Sequence, residues 1–224
     1  MTEHSESVVV SERAGQLFRS STRVLLLVAV IGGVGAFWAL TRLDPLFREA
    51  ITPWRTPEFV SVMKAITTFG EGWLLGVGAL VMAGVASRVG RGDLVRAGLV
   101  AVPALIVSGL IARAFKILIA RPRPSTITDG LAQWAPSFSA AFNSFPSGHA
   151  TSAFTLAAVL AAVLPSWRGV LYASAAVIAF SRVGVDAHFL SDVVAGGLLG
   201  WATGRLAMGI AERRRPLRTD AGGA

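Results

Sequence analysis

Three short runs in the second half of the chain gather the residue types that handle phosphate. Lys116-Ile-Leu-Ile-Ala-Arg-Pro-Arg123-Pro124 supplies cations, and Pro146-Ser147-Gly148-His149 supplies a hydroxyl, a backbone without a side chain and an imidazole. Ser181 and Arg182 are followed after five residues by His188, and after three more by Asp192. Each run has a plain reading beside the chemical one. Lys116 and Arg113 near a helix end could simply extend to lipid headgroups, and Arg121-Pro-Arg123-Pro124 could be a stiff, solvated loop. Ser147 could only cap a helix, with Gly148 merely small and His149 facing solvent. In the chemical reading, the free N–H groups and positive dipole end of that helix hold a phosphate, and Gly148 allows close approach. His188 and Asp192, four apart, would share one helix face. The carboxylate would then fix the imidazole tautomer and leave the other ring nitrogen free as a nucleophile, although histidine-carboxylate pairs also occur as plain structure.

The elements that position these residues follow from composition. Of 224 residues, 53% are hydrophobic and 15% charged, and the mean hydropathy is strongly positive. A soluble domain of this length needs more polar surface. The 24 glycines set against a single tyrosine suit helices packed closely in lipid. The formal charge of +8 raises nucleic acid as a partner. The arginines instead fall in gaps between apolar runs, as membrane topology demands, so no nucleic-acid partner is expected. Cysteine is absent, which excludes disulfides, thiolate nucleophiles and thiolate-held metals.

Six apolar spans are read: Val24–Leu40, Trp73–Ser87, Leu94–Phe115, Ser147–Leu164, Gly169–Arg182 and Phe189–Ile210. Several fall short of the ~20 residues a perpendicular span needs, so they must tilt the balance by extending into neighbouring segments or thinning the bilayer. Glu58–Phe69 has helical periodicity and is expected to lie along the interface or to begin the second span early. The first span reads as a retained anchor with a cytoplasmic N-terminus. Arg88, Arg91, Arg96, Arg168, Arg205, Arg213 to Arg215 and Arg218 then fall on the cytoplasmic side. On the opposite side, Arg42, Arg48 and Arg55 are offset by Asp44, Glu49 and Glu58. There too, Arg113, Lys116, Arg121, Arg123 and Arg182 form a cluster almost without acidic residues. An anionic ligand would explain cations on the face where topology disfavours them, and the same face carries His149 and His188.

The set K-x6-R-P, P-S-G-H and S-R-x5-H-x3-D resembles the type-2 phosphatidic acid phosphatase family, with every spacing intact from Lys116 to Asp192, about a third of the chain. The resemblance implies an all-α, six-transmembrane-helix bundle and a lipid phosphate phosphatase that works without a metal or other cofactor. It implies His188 as the nucleophile that becomes phosphohistidine, with Asp192 as its orienting partner. His149 would protonate the leaving oxygen and then act as base on water. Lys116, Arg123 and Arg182 would hold the equatorial oxygens with Ser147 and the Gly148 N–H, in place of metal ions. Arg121 and Arg113 stand outside the motif and are read as headgroup contacts, with a second phosphate as the other role for Arg121.

The expected organisation is a polar cytoplasmic tail over 1–22, a six-helix membrane phosphatase domain over 23–211 and a basic, disordered cytoplasmic tail over 212–224. The protein is expected in the cell membrane, multi-pass, with both termini cytoplasmic and its site on the extracytoplasmic face. Expected substrates are a polyprenyl diphosphate, with phosphatidic acid and phosphatidylglycerol phosphate beside it; the sequence sets no oligomeric state. The alternatives are a phosphotransferase of the same family and a transporter. A transporter would carry charges near mid-bilayer, whereas these lie at one edge.

Overall fold

Proline and glycine set the breaks between helices. The computed structural model describes residues 33, 35, 37–129 and 136–214, and divides into one unit up to Leu43 and a second from Asp44. In the first unit the described residues are helical. The second opens with helical residues 44–51 (α1) and a 3-10 turn, Thr52–Trp54. Helix α2, Pro57–Thr68, starts with proline at its first position, where no N–H is needed, and with the Thr56 hydroxyl accepting from Phe59 N–H at 3.2 Å. The chain breaks at Gly70 and resumes as α3, Gly72–Arg88. A left-handed Gly90 separates α3 from α4, Gly92–Ile119. Helices α5 (Gly148–Val163), α6 (Arg168–Gly184) and α7 (Leu190–Arg213) complete the unit.

The five later apolar runs thus become α3 to α7, and every regular element among the described residues is helical. Among the described residues, only α4 and α7 are each long and apolar enough to cross a membrane alone. Helices α2 and α3 meet that test as a pair bent by 50°, and α5, at 16 residues, is apolar but shorter. Most of the first expected span, Val24–Leu40, lies outside the described residues, as do the expected tail over 1–22 and residues 215–224 of the other; the tail expected from 212 is corrected at its start, because α7 continues through Arg213. Glu58–Phe69 forms the separate helix α2, which packs on α6 with Met63 set against Gly184.

Side chains are distributed inside out relative to a protein in water. Alanines occupy the core, where Ala79, Ala97, Ala101 and Ala104 cluster with Val159 and Met208. The large apolar groups face outward, with Leu110 65% and Leu198 63% exposed. Lipid is the solvent that makes this arrangement stable, and this is a membrane protein. Without a hydrophobic force between helices, close backbone approach supplies the attraction. Gly196, Gly200 and Gly204 form a stripe on α7 against α5, where a Cβ would strike the carbonyl oxygens of Ser147, Thr151 and Thr155. That stripe sets the spacing between the start of α5 and the start of α7, the two places that carry the histidines.

Candidate active site

The three runs meet at one end of the second unit, at the C-terminal ends of α4 and α6 and the N-terminal ends of α5 and α7. Lys116 lies in the last turn of α4, which ends where Ala120 takes a left-handed conformation with φ 45°. Its Nζ donates to the Asn143 carbonyl at 2.5 Å. The loop after α4 is held to the segment before α5 by Arg123 N–H donating to Ala141 O at 3.0 Å and Ser144 N–H to Arg121 O at 3.0 Å. That segment is fixed to α7 by Ser147 N–H donating to Asp192 O, also at 3.0 Å. His188 N–H donates to Arg182 O at 3.2 Å. Backbone bonds alone therefore tie the runs together, the longest reaching from Ser147 to Asp192.

The side chains gathered there are short of partners. The buried atoms Arg123 Nε, Arg182 Nε, Ser147 Oγ, Asn143 Oδ1 and His188 Nδ1 make no hydrogen bond within the protein. Burying such a group unsatisfied costs roughly 1–3 kcal/mol, and natural proteins rarely accumulate several in one place without a use. Lys116, Arg123 and Arg182 also lie close enough to repel one another, and the charges of Lys116 and Arg182 act on both His149 and His188. Forked guanidinium donors, an ammonium and a hydroxyl around two imidazoles match a tetrahedral oxyanion.

The imidazoles differ in surroundings. His188 is 3% exposed, and burial pushes its pKa down to about 4, opposed in part by Asp192 and reinforced by Lys116 and Arg182. It is therefore neutral through the physiological range, with a lone pair available for attack. His149, in the first turn of α5, has Nε2 at 3.2 Å from Glu71 Oε1, a carboxylate delivered by the break between α2 and α3. Thr67 of α2 accepts from Arg182 at 3.4 Å and shares a 2.8 Å hydrogen bond with Ser181.

Several sequence expectations are corrected. His188 and Asp192 do not share a helix face: His188 precedes α7, and Asp192 folds back from its first turn so that Oδ2 accepts Phe189 N–H at 2.9 Å. The His188 Nδ1 to Asp192 Oδ2 separation of 3.7 Å exceeds a hydrogen bond, so the pair interacts as near neighbours. Ser147 precedes α5 as expected but makes no capping bond with its side chain, which keeps its buried hydroxyl uncommitted. Gly148 begins α5 with open space where a Cβ would be. Arg121 is neither a headgroup contact nor unbalanced: it is 7% exposed and pairs with Asp44 at 2.7 Å and Asp192 at 2.6 Å. Arg48 and Arg55 pair with Asp186 at 2.8 and 2.9 Å rather than with their acidic sequence neighbours. Arg113 is exposed. Sequence reasoning missed Glu71, Asn143, Ser144 and Ser191 and misjudged Asp44. Glu71 and Asp44 carried one usable signal, a carboxylate at the edge of an apolar run, where ionised groups persist only with partners.

Comparison with known proteins covers the same region. A model of the PAP2 superfamily matches residues 97–216, which include all three runs. Two proteins named lipid A 1-phosphatase, from Rhizobium johnstonii and Rhizobium etli, are 41% identical to this chain over 98 residues. The match covers 43% of this chain and spans about two fifths of the length of those relatives (40% and 42%). A transmembrane PAP2-type phosphatidylglycerolphosphate phosphatase from Bacillus subtilis is structurally similar, with a TM-score of 0.57 at 24% identity over 80% of this chain and 90% of that one. Aquifex aeolicus LpxE gives 0.56 at 21% identity over 75% of this chain and 95% of its own. At these identities the two structures establish a shared fold.

Proposed function

This chain belongs to the PAP2 superfamily, and from that premise we propose that it is a multi-pass membrane phosphatase that hydrolyses a lipid phosphate or diphosphate through a phosphohistidine at His188. The observation that carries the reading is the set of buried, unpartnered donors, Arg123 Nε, Arg182 Nε and Ser147 Oγ, gathered with His188. In the first step Nε2 of His188 attacks phosphorus and the bond to the leaving oxygen breaks, that oxygen taking a proton from His149. In the second, His149 takes a proton from water, the oxygen attacks phosphorus, and the P–N bond breaks to release inorganic phosphate and neutral His188. Lys116, Arg123, Arg182, Ser147 and the Gly148 N–H hold the phosphoryl oxygens through both steps. Asp192 orients His188. These cations supply the charge stabilisation that metal ions supply elsewhere, so the reaction is proposed to need no metal.

The site is proposed to open on the extracytoplasmic face with both termini cytoplasmic. Arg88, Arg91, Arg96, Arg168 and Arg205 support this, because they sit toward the helix ends remote from the site. The lipid class is proposed more broadly than the tail: lipid A 1-phosphate is suggested by the relatives' names, beside phosphatidylglycerol phosphate, phosphatidic acid and polyprenyl diphosphate. A panel of these lipids in detergent at neutral pH with excess chelator tests the reading. Phosphate release from at least one lipid, undiminished by chelator, is expected. Loss of release on chelation contradicts metal independence, and transfer to an acceptor other than water would identify a phosphotransferase.

A further inference from the structure

We propose that Arg121 is a positioning residue, clamped by Asp44, that aims Asp192 at His188 and does not bind the substrate phosphate. The inference rests on the reading of His188 as nucleophile. Two arginines stand two apart in one loop, and their environments are opposite. Arg123 keeps a buried Nε without a partner, whereas Arg121 turns both Nη groups inward. Its Nη1 donates to Asp192 Oδ1 and to Ser191 Oγ, both at 2.6 Å, and its Nη2 donates to Asp44 Oδ2 at 2.7 Å. The guanidinium also lies 4.2 Å from the centre of the Phe189 ring, the residue next to His188.

Asp44 closes the clamp from α1. Its Oδ1 accepts Ser191 N–H at 2.9 Å and its Oδ2 accepts the Ser191 hydroxyl at 2.5 Å, so it braces the first turn of α7 while neutralising Arg121. Asp44, Arg121 and Asp192 are 2%, 7% and 0% exposed. With Oδ1 of Asp192 taken by Arg121, and Oδ2 held by the Ser144 hydroxyl at 2.5 Å and Phe189 N–H at 2.9 Å, the carboxylate has one orientation, the one that sets Oδ2 beside His188 Nδ1. A buried ion triad does little for net stability compared with apolar packing, but it specifies geometry. The geometry specified here is that of the attacking imidazole.

The test uses the full chain in detergent, with rates normalised to active sites. Arg121→Gln is expected to lower kcat on the order of 10- to 100-fold, as for other groups that orient a reacting residue. KM and the inhibition constant of inorganic phosphate are expected to stay within about threefold, because the clamp leaves Lys116, Arg123 and Arg182 in place. Arg121→Lys, which can restore one of the bonds, should recover part of kcat. Asp44→Asn keeps the oxygen that accepts Ser191 N–H but loses the charge, so it should give a smaller kcat loss and carry the test if Arg121→Gln does not fold. A rise in KM and in the phosphate inhibition constant that accounts for the loss would make Arg121 a phosphate ligand and overturn the proposal. So would an unchanged kcat with only a lower unfolding temperature. Absence of phosphate release by the wild type would sink the functional reading itself, whereas an active wild type, an inactive His188→Ala and a normal Arg121→Gln would sink the clamp alone.

Discussion

His188→Ala is expected to lower phosphate release from any accepted lipid by about 10⁴-fold or more, since loss of a covalent nucleophile leaves only what binding and electrostatics supply. The fold should survive the change. Asp192 retains Arg121, the Ser144 hydroxyl and Phe189 N–H, none of which depends on the imidazole. His188 Nδ1 has no hydrogen bond to lose within the protein, so the cost is that of a small cavity beside Val183 and Leu190. Phosphate release and thermal unfolding measured on the same preparation separate the outcomes. A folded variant with near-normal release would show that His188 does not attack phosphorus.

Arg182→Ala is expected to lower kcat/KM on the order of 10²–10³-fold, the usual cost of removing one donor to a developing oxyanion. Arg182 has the strongest claim of the cations because its charge acts on both imidazoles, its Nε is buried without a partner, and its other contact is a long 3.4 Å bond to Thr67. Inhibition by inorganic phosphate should weaken alongside. Arg182→Lys should recover only part of the loss, because an ammonium cannot offer two parallel donors to one phosphoryl group. Full activity in Arg182→Lys would show that charge alone suffices, and unchanged phosphate inhibition in Arg182→Ala would remove Arg182 from the phosphate site.

Local spacing carried most of what could be read without coordinates. Apolar runs map onto helices to within a few residues, as Trp73–Ser87 onto Gly72–Arg88 and Gly169–Arg182 onto Arg168–Gly184, because in lipid the helix is the form that satisfies its own backbone. The fourth helix runs past its expected end at Phe115 to Ile119, since Lys116 extends from the last turn without ending it. The residues of the three motifs were legible because helix ends gather them at one edge. Partners across long separations were not. Arg121 finds Asp44 and Asp192, 77 and 71 positions away, and nothing in the spacing of Arg121 and Arg123 tells which guanidinium turns inward. The four-residue interval between His188 and Asp192 misled for a related reason: a helix begins between them, so the interval measures a turn and a cap rather than one helical face. Glu71 reaches His149 only because Gly70, packed against Ile178 and His149, breaks the path between α2 and α3.

The convergence of these groups on one phosphorus atom is tested most directly by trapping the covalent state. In His149→Ala the second step loses its base, while an aryl phosphate with a good leaving group needs no acid for the first, so phosphoryl-enzyme should accumulate. Mass spectrometry of the digested protein should then find an acid-labile phosphoryl group on His188, absent from a variant that also carries His188→Ala. Turnover of the aryl phosphate with the adduct on another residue, or with the same yield of adduct after His188 is removed, would contradict the account.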